Sequence, residues 1–363
     1  MAVPGLRGGD RVPCHACSPV SATRTRYAYL GPEGTFAETA VRSLPESGDV
    51  DLVPVETVAD AFAAVRDGSV GAAVVPFENS VEGSVSGTLD EFASGSPLHI
   101  AREMLVPVHL SLLARPGAEL GSIRVVASHP HATAQCRRWL RAHLPEARVR
   151  SAPSTAEAAA AVAEGGDGTE GAIAAPANAG RYGLVELASD IGDHHHAVTR
   201  FVMAVSPRPL PRPTGADRTT VVTMIADDHP GALLELLTEF AVRGVNLTRI
   251  ESRPTGHGLG RYCFSIDCEG HIEEARVGDA LAALHRSCEE VRFCGSYPRA
   301  DGEAPRFRHG TADADFQSAA EWLDRTRRGT AGARARCIPA LRSRDPLLRG
   351  CGQTSEVPVK AQR

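Results

Sequence analysis

Residues 57–76 read TVADAFAAVRDGSVGAAVVP, and residues 155–176 read TAEAAAAVAEGGDGTEGAIAAP. In each, a threonine stands before an alanine-rich amphipathic stretch, where its hydroxyl can cap a helix by accepting from a backbone N–H. In each, a Gly-containing break leads into small apolar residues that stop at proline, Gly71 to Pro76 and Gly171 to Pro176, the pattern of a short buried strand. The threonines lie 98 residues apart (57 to 155) and the glycines 100 (71 to 171), so the second copy carries a small insertion in its linker. Two copies of one helix-strand unit imply two similar α/β lobes, with ligands bound in a crevice faced by the carboxyl ends of strands.

The pattern extends outward from the first copy. The run Tyr27-Ala28-Tyr29-Leu30 stops at Gly31-Pro32, and Thr35 with Glu38 three residues on predicts the start of a helix. A strand near Leu52 to Val55, a helix from Val58 to Arg66 and the strand Ala72 to Val75 follow, an alternation that predicts a parallel sheet covered by helices. At Ser206 to Pro213 the sequence becomes SPRPLPRP, a stiff extended linker. Beyond it come a strand (Thr219 to Ile225), a helix (Gly231 to Arg243), strands at Asn246 to Ile250 and Arg261 to Cys268, a helix (Ile272 to Arg286) and a strand at Val291 to Cys294. This βαββαβ order predicts a ferredoxin-like sandwich. The expected organisation is an extension at 1–25, a two-lobed unit at 26–206 with its second lobe at about 109–188, a linker at 207–217, a small domain at 218–298 and a tail at 299–363. The two-lobed unit is read as α/β of the periplasmic-binding-protein-like kind. Residues 301–363 hold 11 Arg and one Lys against 8 Asp and Glu, and the tail is read as disordered, with a short helix around Phe316 to Leu323.

Composition narrows the chemistry. The chain has 363 residues, 42% hydrophobic and 23% charged, as ordinary soluble proteins do. Its 39 Lys and Arg include a single lysine, Lys360, in the polar tail, which excludes a Schiff-base lysine or a phosphate-loop nucleotide site. The formal net charge of -5 gives no sign of nucleic acid as a partner. No window approaches the ~18 apolar residues of a membrane helix, and the N-terminus has no apolar signal region, so a cytoplasmic location with no membrane partner is expected. Nine cysteines, an odd number, read as reduced thiols rather than a disulfide framework. Cys14 and Cys17 form a CxxC without a second pair, and no metal or other cofactor is expected.

Polar residues cluster at strand ends: Glu78-Asn79-Ser80 within 76–84, Ser128-His129-Pro130-His131 with Gln135-Cys136, and Thr199-Arg200-Phe201. A Ser or Thr at such a turn is most often a helix cap. Together with Gly31-Pro32-Glu33-Gly34-Thr35-Phe36, however, these segments resemble, in order and spacing, the signatures of prephenate dehydratases. Pro230-Gly231-Ala232-Leu233 and Glu251-Ser252-Arg253-Pro254 resemble the ACT regulatory domain of the same enzymes. The resemblance covers about residues 26–298.

It implies an enzyme, a carbon-oxygen lyase that removes carbon dioxide and water from prephenate to give phenylpyruvate in L-phenylalanine biosynthesis, without a cofactor. It assigns Thr199 to the departing hydroxyl and places Asn79, Ser80 and Glu78 with it as catalytic candidates. Ser128, Gln135, Thr35, His131 and Arg200 are candidates for substrate binding; Arg200 either pairs with a carboxylate or makes a structural ion pair behind the site. L-Phenylalanine is the implied allosteric effector, bound between ACT domains of a homodimer or homotetramer by Gly231, Ala232, Leu233, Asn246, Glu251, Ser252 and Arg253. Two positions depart from the family pattern: His131 stands where Gln is usual, and Asp193-His194-His195-His196-Ala197 stands where an Asn is usual. The His run reads as an exposed loop, or His196 makes the contact of that Asn. Arogenate dehydration and a non-catalytic amino acid sensor are the competing readings.

Overall fold

A computed structural model describes residues 24–330 except 166–167, 226–228 and 257–260; Cys14, Cys17 and Lys360 lie outside the described residues. The first lobe holds β1 (Arg26–Leu30), α1 (Phe36–Arg42), β2 (Asp51–Val55), α2 (Val58–Arg66), β3 (Ala72–Asn79), β4 (Gly83–Ser84), α3 (Ser86–Ala93) and β5 (His99–Pro107). The second holds β6 (Ser111–Ala114), β7 (Val125–Ser128), α4 (Pro130–Gln135), α5 (Arg137–His143), β8 (Arg148–Ser151), α6 (Thr155–Glu164), β9 (Glu170–Ala174), α7 (Ala177–Tyr182) and β10 (Val185–Ala188). The chain then returns to the first sheet as β11 (Val198–Val205). The sheet orders are β2-β1-β3-β11-β5, with β4 on β3, and β10-β6-β9-β7-β8.

Neither sheet is purely parallel, which corrects the expectation from the alternating pattern. β1 runs parallel to β2 and β3, but β11 enters antiparallel between β3 and β5. In the second lobe β7 is parallel to β8 and β9 while β6 opposes β9 and β10. A strand that returns from another lobe has no right-handed crossover to obey and fills the slot from the opposite direction.

The repeat is visible in three dimensions with one change of register. Thr57 caps α2 through a capping box with Asp60. In the second copy the cap is Ser154, whose Oγ accepts from Glu157 N at 3.0 Å, and Thr155 is already the first helical residue. Two adjacent hydroxyl residues can each cap, and here the one preceding the helix does.

The C-terminal domain has β12 (Asp217–Ile225), α8 (Ala232–Ala241), β13 (Leu247–Pro254), β14 (Tyr262–Glu269), α9 (Ala275–Ser287) and β15 (Cys288–Pro298), in the antiparallel order β13-β14-β12-β15. Leu236, Phe240, Val277 and Leu284 of the two helices fill one face of this sheet. The other face is also buried: Val222, Cys263, Cys294 and Tyr297 belong to one apolar cluster with Phe62, Val75, Phe77 and Phe92 of the first lobe. Strands covered on both faces lose the alternating pattern, as the near-continuous burial of β12 and β14 shows. Gly295, at φ +130°, is pressed so close to Ile100 of β5 that a Cβ would meet the Ile100 carbonyl oxygen. A last helix, α10, spans Asp313–Arg327, longer at both ends than expected. Among the described residues no helix is long and apolar enough to cross a membrane.

Candidate active site

The site begins with strand alternation and one irregularity. β11 pairs with β3 so that Thr199 faces Asn79 and Arg200 faces Glu78, but Phe201 faces Pro76. Phe77 is therefore the extra residue of a β-bulge, which re-aims the side chains around it. Thr199, Phe201, Asn79 and Pro76 line a cavity of about 340 Å³ between the lobes. Arg200, Glu78 and Phe77 point the other way, toward the C-terminal domain: Arg200 Nε lies 3.3 Å from Glu78 Oε2 and its guanidinium sits 4.7 Å from the Phe77 ring centre.

At the floor of the cavity, Asn79 Nδ2 donates to Thr199 Oγ1 at 2.9 Å. Asn79 Oδ1 accepts from the backbone N–H groups of Val81 (2.8 Å) and Glu82 (3.0 Å), which fixes the amide with its nitrogen toward Thr199. Ser80 Oγ accepts from Val198 N, and Ser80 N donates to Val198 O, so Ser80 pins the turn to the start of β11. Thr35 lines the cavity while its Oγ1 donates to Leu30 O and accepts from Glu38 N.

The second lobe supplies His129, His131, Gln135, Thr155 and Glu157 to the same cavity. Two sets of contacts join the lobes across it. On one rim Glu82 lies 3.2 Å from His131 Nδ1 and accepts from Gln135 Nε2 at 3.4 Å. On the other, Arg181 of α7 pairs with Glu33 and Glu38, and Asn178 Nδ2 donates to Gly34 O at 3.0 Å. Gly34 has φ +88°, and a Cβ there would collide with Asn178 Oδ1, so no other residue suits this turn. Burial pushes the Glu38 carboxyl up, but the Gly34 N–H, Arg42 and Arg181 outweigh it and hold it below its ordinary value. Burial holds the His129 imidazole below its ordinary value, with nearby His131 adding to the effect.

The chain matches the family model of prephenate dehydratase over residues 27–208 and that of the ACT domain over 220–286. A prephenate dehydratase of Amycolatopsis methanolica is 50% identical over 306 residues, 84% of this chain and 99% of the relative. The chain belongs to the prephenate dehydratase family. Among solved structures, a prephenate dehydratase from Arthrobacter aurescens in complex with L-Phe is 50% identical with a TM-score of 0.79, covering 84% of this chain and all of that one. GqqA, described as a novel type of quorum quenching acylase, is 31% identical with a TM-score of 0.67, covering 75% of this chain and 97% of that one.

Within this prephenate dehydratase fold the site candidates divide. Thr199, Asn79, Gln135, Thr35 and His131 meet at the cavity. Arg200 and Glu78 do not; they pair with each other on the opposite face of the sheet. Ser128 is fully buried, its Oγ donates to Ile173 O at 2.7 Å and joins β7 to β9, and it does not line this cavity. Ser80 is used by backbone. His194 to His196 are exposed, and His195 pairs with Asp190.

In the ACT domain, Gly231 (φ +100°), Ala232 and Leu233 open α8. Glu251 and Arg253 reach the first lobe of their own chain: Glu251 accepts from Ser84 Oγ at 3.2 Å, and Arg253 makes a two-pronged pair with Asp90 at 3.0 and 2.9 Å. Asn246 and Ser252 are exposed. Sequence reasoning passed over His129, Glu82, Thr155 and Glu157 as site residues. Position was the available signal: Glu82 and His129 stand in polar clusters already singled out, and Thr155 and Glu157 stand in the first turn of the repeated helix.

Proposed function

We infer that this chain catalyses the decarboxylating dehydration of prephenate to phenylpyruvate, water and carbon dioxide in L-phenylalanine biosynthesis. The Asn79–Thr199 hydrogen bond carries the reading. Because Asn79 is fixed as donor, the Thr199 hydroxyl accepts from it and directs its own hydrogen to another acceptor at the cavity. The departing ring hydroxyl of prephenate is such an acceptor. Loss of the ring carboxylate as carbon dioxide leaves an electron pair that completes the aromatic ring and expels that hydroxyl, which takes up a proton and leaves as water. A threonine hydroxyl is too weak an acid to be ionised near pH 7, so it acts by a positioned hydrogen bond to the oxygen on which charge develops. An acylase would instead need a nucleophile activated by a base; Thr199 is paired with an amide, which favours dehydration over the activity in the GqqA name.

The substrate has two carboxylates, and among the described residues no Lys or Arg lines the cavity. Backbone N–H groups at the start of α6, together with His129 and His131, are the groups suited to receive anions. A second reading, arogenate as substrate, draws on Glu56 and Glu157, which also line the cavity and suit an ammonium group.

The ACT domain fits L-phenylalanine as effector in a homodimer or homotetramer, with Gly231 to Leu233, Asn246 and Glu251 to Arg253 as the binding region. Leu233, Leu234 and Ile250 are apolar and exposed on it, as a face that meets a second copy would be. Incubation of the purified chain with prephenate, followed by phenylpyruvate absorbance in alkali, tests the reaction. Product formation is expected, at a higher kcat/KM than for arogenate; a chain that leaves prephenate unchanged contradicts it. A rise in thermal midpoint with L-phenylalanine, kept in Thr199→Ala and lost on changing Gly231, is the outcome expected of an ACT-bound effector.

A further inference from the structure

Arg200 stands next to Thr199 in β11, and alternation sends its side chain to the opposite face, where the ACT sheet packs. It is 5% exposed. Its Nη2 donates to Asp267 of β14, and its Nη1 donates to Glu103 of β5 at 3.2 Å. The pair with Glu78 is an ion pair without hydrogen-bond alignment. Asp267 is wholly buried and lies in register between Thr220 of β12 and Arg249 of β13. It accepts from Thr220 Oγ1 at 2.8 Å and from Arg249 Nε at 3.0 Å. Arg218 of β12 donates to Glu103 at 2.6 Å, closing a cluster of three guanidinium groups and three carboxylates, with the Phe77 ring centre 4.7 Å from both Arg200 and Arg249.

Apolar residues would join two packed sheets at least as well as buried ions, whose desolvation cancels much of their attraction. Ions differ from apolar groups in being directional. A single carboxylate here gathers three strands of the ACT sheet onto Arg200, the residue that follows Thr199 in β11. We propose that Asp267 is a positioning residue for the dehydratase reaction: through Arg200 it holds the bulged β3–β11 ladder so that Thr199 and Asn79 meet at the cavity in reactive geometry. It touches no substrate. The inference rests on the dehydratase reading above.

Full-length wild type, Asp267→Asn and the charge-balanced double variant Asp267→Asn/Arg249→Met are compared for kcat, KM with prephenate and thermal midpoint. Asp267→Asn leaves guanidinium groups short of a partner and is expected to melt lower. The double variant removes one charge of each sign and is expected to regain most of the midpoint. Both are expected to lose about tenfold to a hundredfold in kcat, the scale of a small misplacement of a catalytic group, with KM within about twofold. Recovery of wild-type kcat in the double variant along with its midpoint would show a merely structural role and overturn the proposal, as would an Asp267→Asn variant with wild-type kcat. A wild type that does not consume prephenate removes the dehydratase reading itself, a result distinct from either.

Discussion

At the scale of single residues, the sequence pointed to Thr199 and Asn79 by motif, but their roles depend on which way an amide faces. Two backbone N–H groups settle that for Asn79. Asn79→Asp reverses the polarity, making the side chain an acceptor toward Thr199, and is expected to lower kcat at least about tenfold with little loss of thermal midpoint, measured by steady-state kinetics and melting. Arg200 shows what the sequence left open: a guanidinium beside a candidate catalytic threonine serves either a substrate carboxylate or an ion pair, and the sheet packed behind it supplies the ion pair. Asp267 was less legible still. A lone acid within YCFSIDC is a sign of a paired buried charge, because charged residues are rarely fully buried otherwise, but the partner lies 67 residues away. Burial pushes the Asp267 carboxyl up, yet Arg200 and Arg249 overcome this and hold it well below its ordinary value. The folded chain thus keeps Asp267 ionised at a pH where the unfolded chain, with an ordinary value of about 4, has begun to bind a proton. Its contribution is present above that value and fades as pH falls toward the folded one. Thermal midpoints measured from pH 6 to pH 3 are expected to drop more steeply for wild type than for Asp267→Asn/Arg249→Met.

At the scale of elements, the helix starts were the most readable features, because capping is local chemistry: Thr35 and Thr57 cap as expected, and the second copy differs only by moving the cap to Ser154. The bulge at Phe77 has no such local mark. It arises from the pairing of β3 with a strand some 120 residues later, and it turns Phe77 to the side of Glu78, away from Asn79. The substrate-binding candidate Ser128 and the catalytic candidate Glu78 lie outside the cavity lining, a placement that motif order does not reveal because it does not tell which face a strand residue takes. The rim contact of Glu82 with His131 and Gln135 spans the two lobes and is partly exposed, so it is worth at most about 1 kcal/mol. Glu82→Ala is therefore expected to raise KM for prephenate by up to about fivefold while kcat changes little, as steady-state kinetics will show.

At the scale of the whole molecule, the proline-rich linker suggested separable domains, yet the first lobe and the ACT sheet share one apolar cluster and one buried ionic cluster. The apolar count of β12 and β14 could have betrayed a sheet covered on both faces, but such runs also fit an ordinary core strand. Truncation after residue 206 exposes Val75 and Phe77 and leaves Arg200 without Asp267. The truncated chain is expected to melt lower by many degrees and to lose most of its activity, as calorimetry and the prephenate assay will read. The central claim is that the cavity between the lobes dehydrates prephenate through the Thr199 hydroxyl. Its most direct test is the rate of phenylpyruvate formation by wild type and by Thr199→Ala, with thermal midpoints in parallel. The account predicts rapid formation by wild type, a loss of about a hundredfold or more in kcat for Thr199→Ala, and equal midpoints; full activity in Thr199→Ala would contradict it.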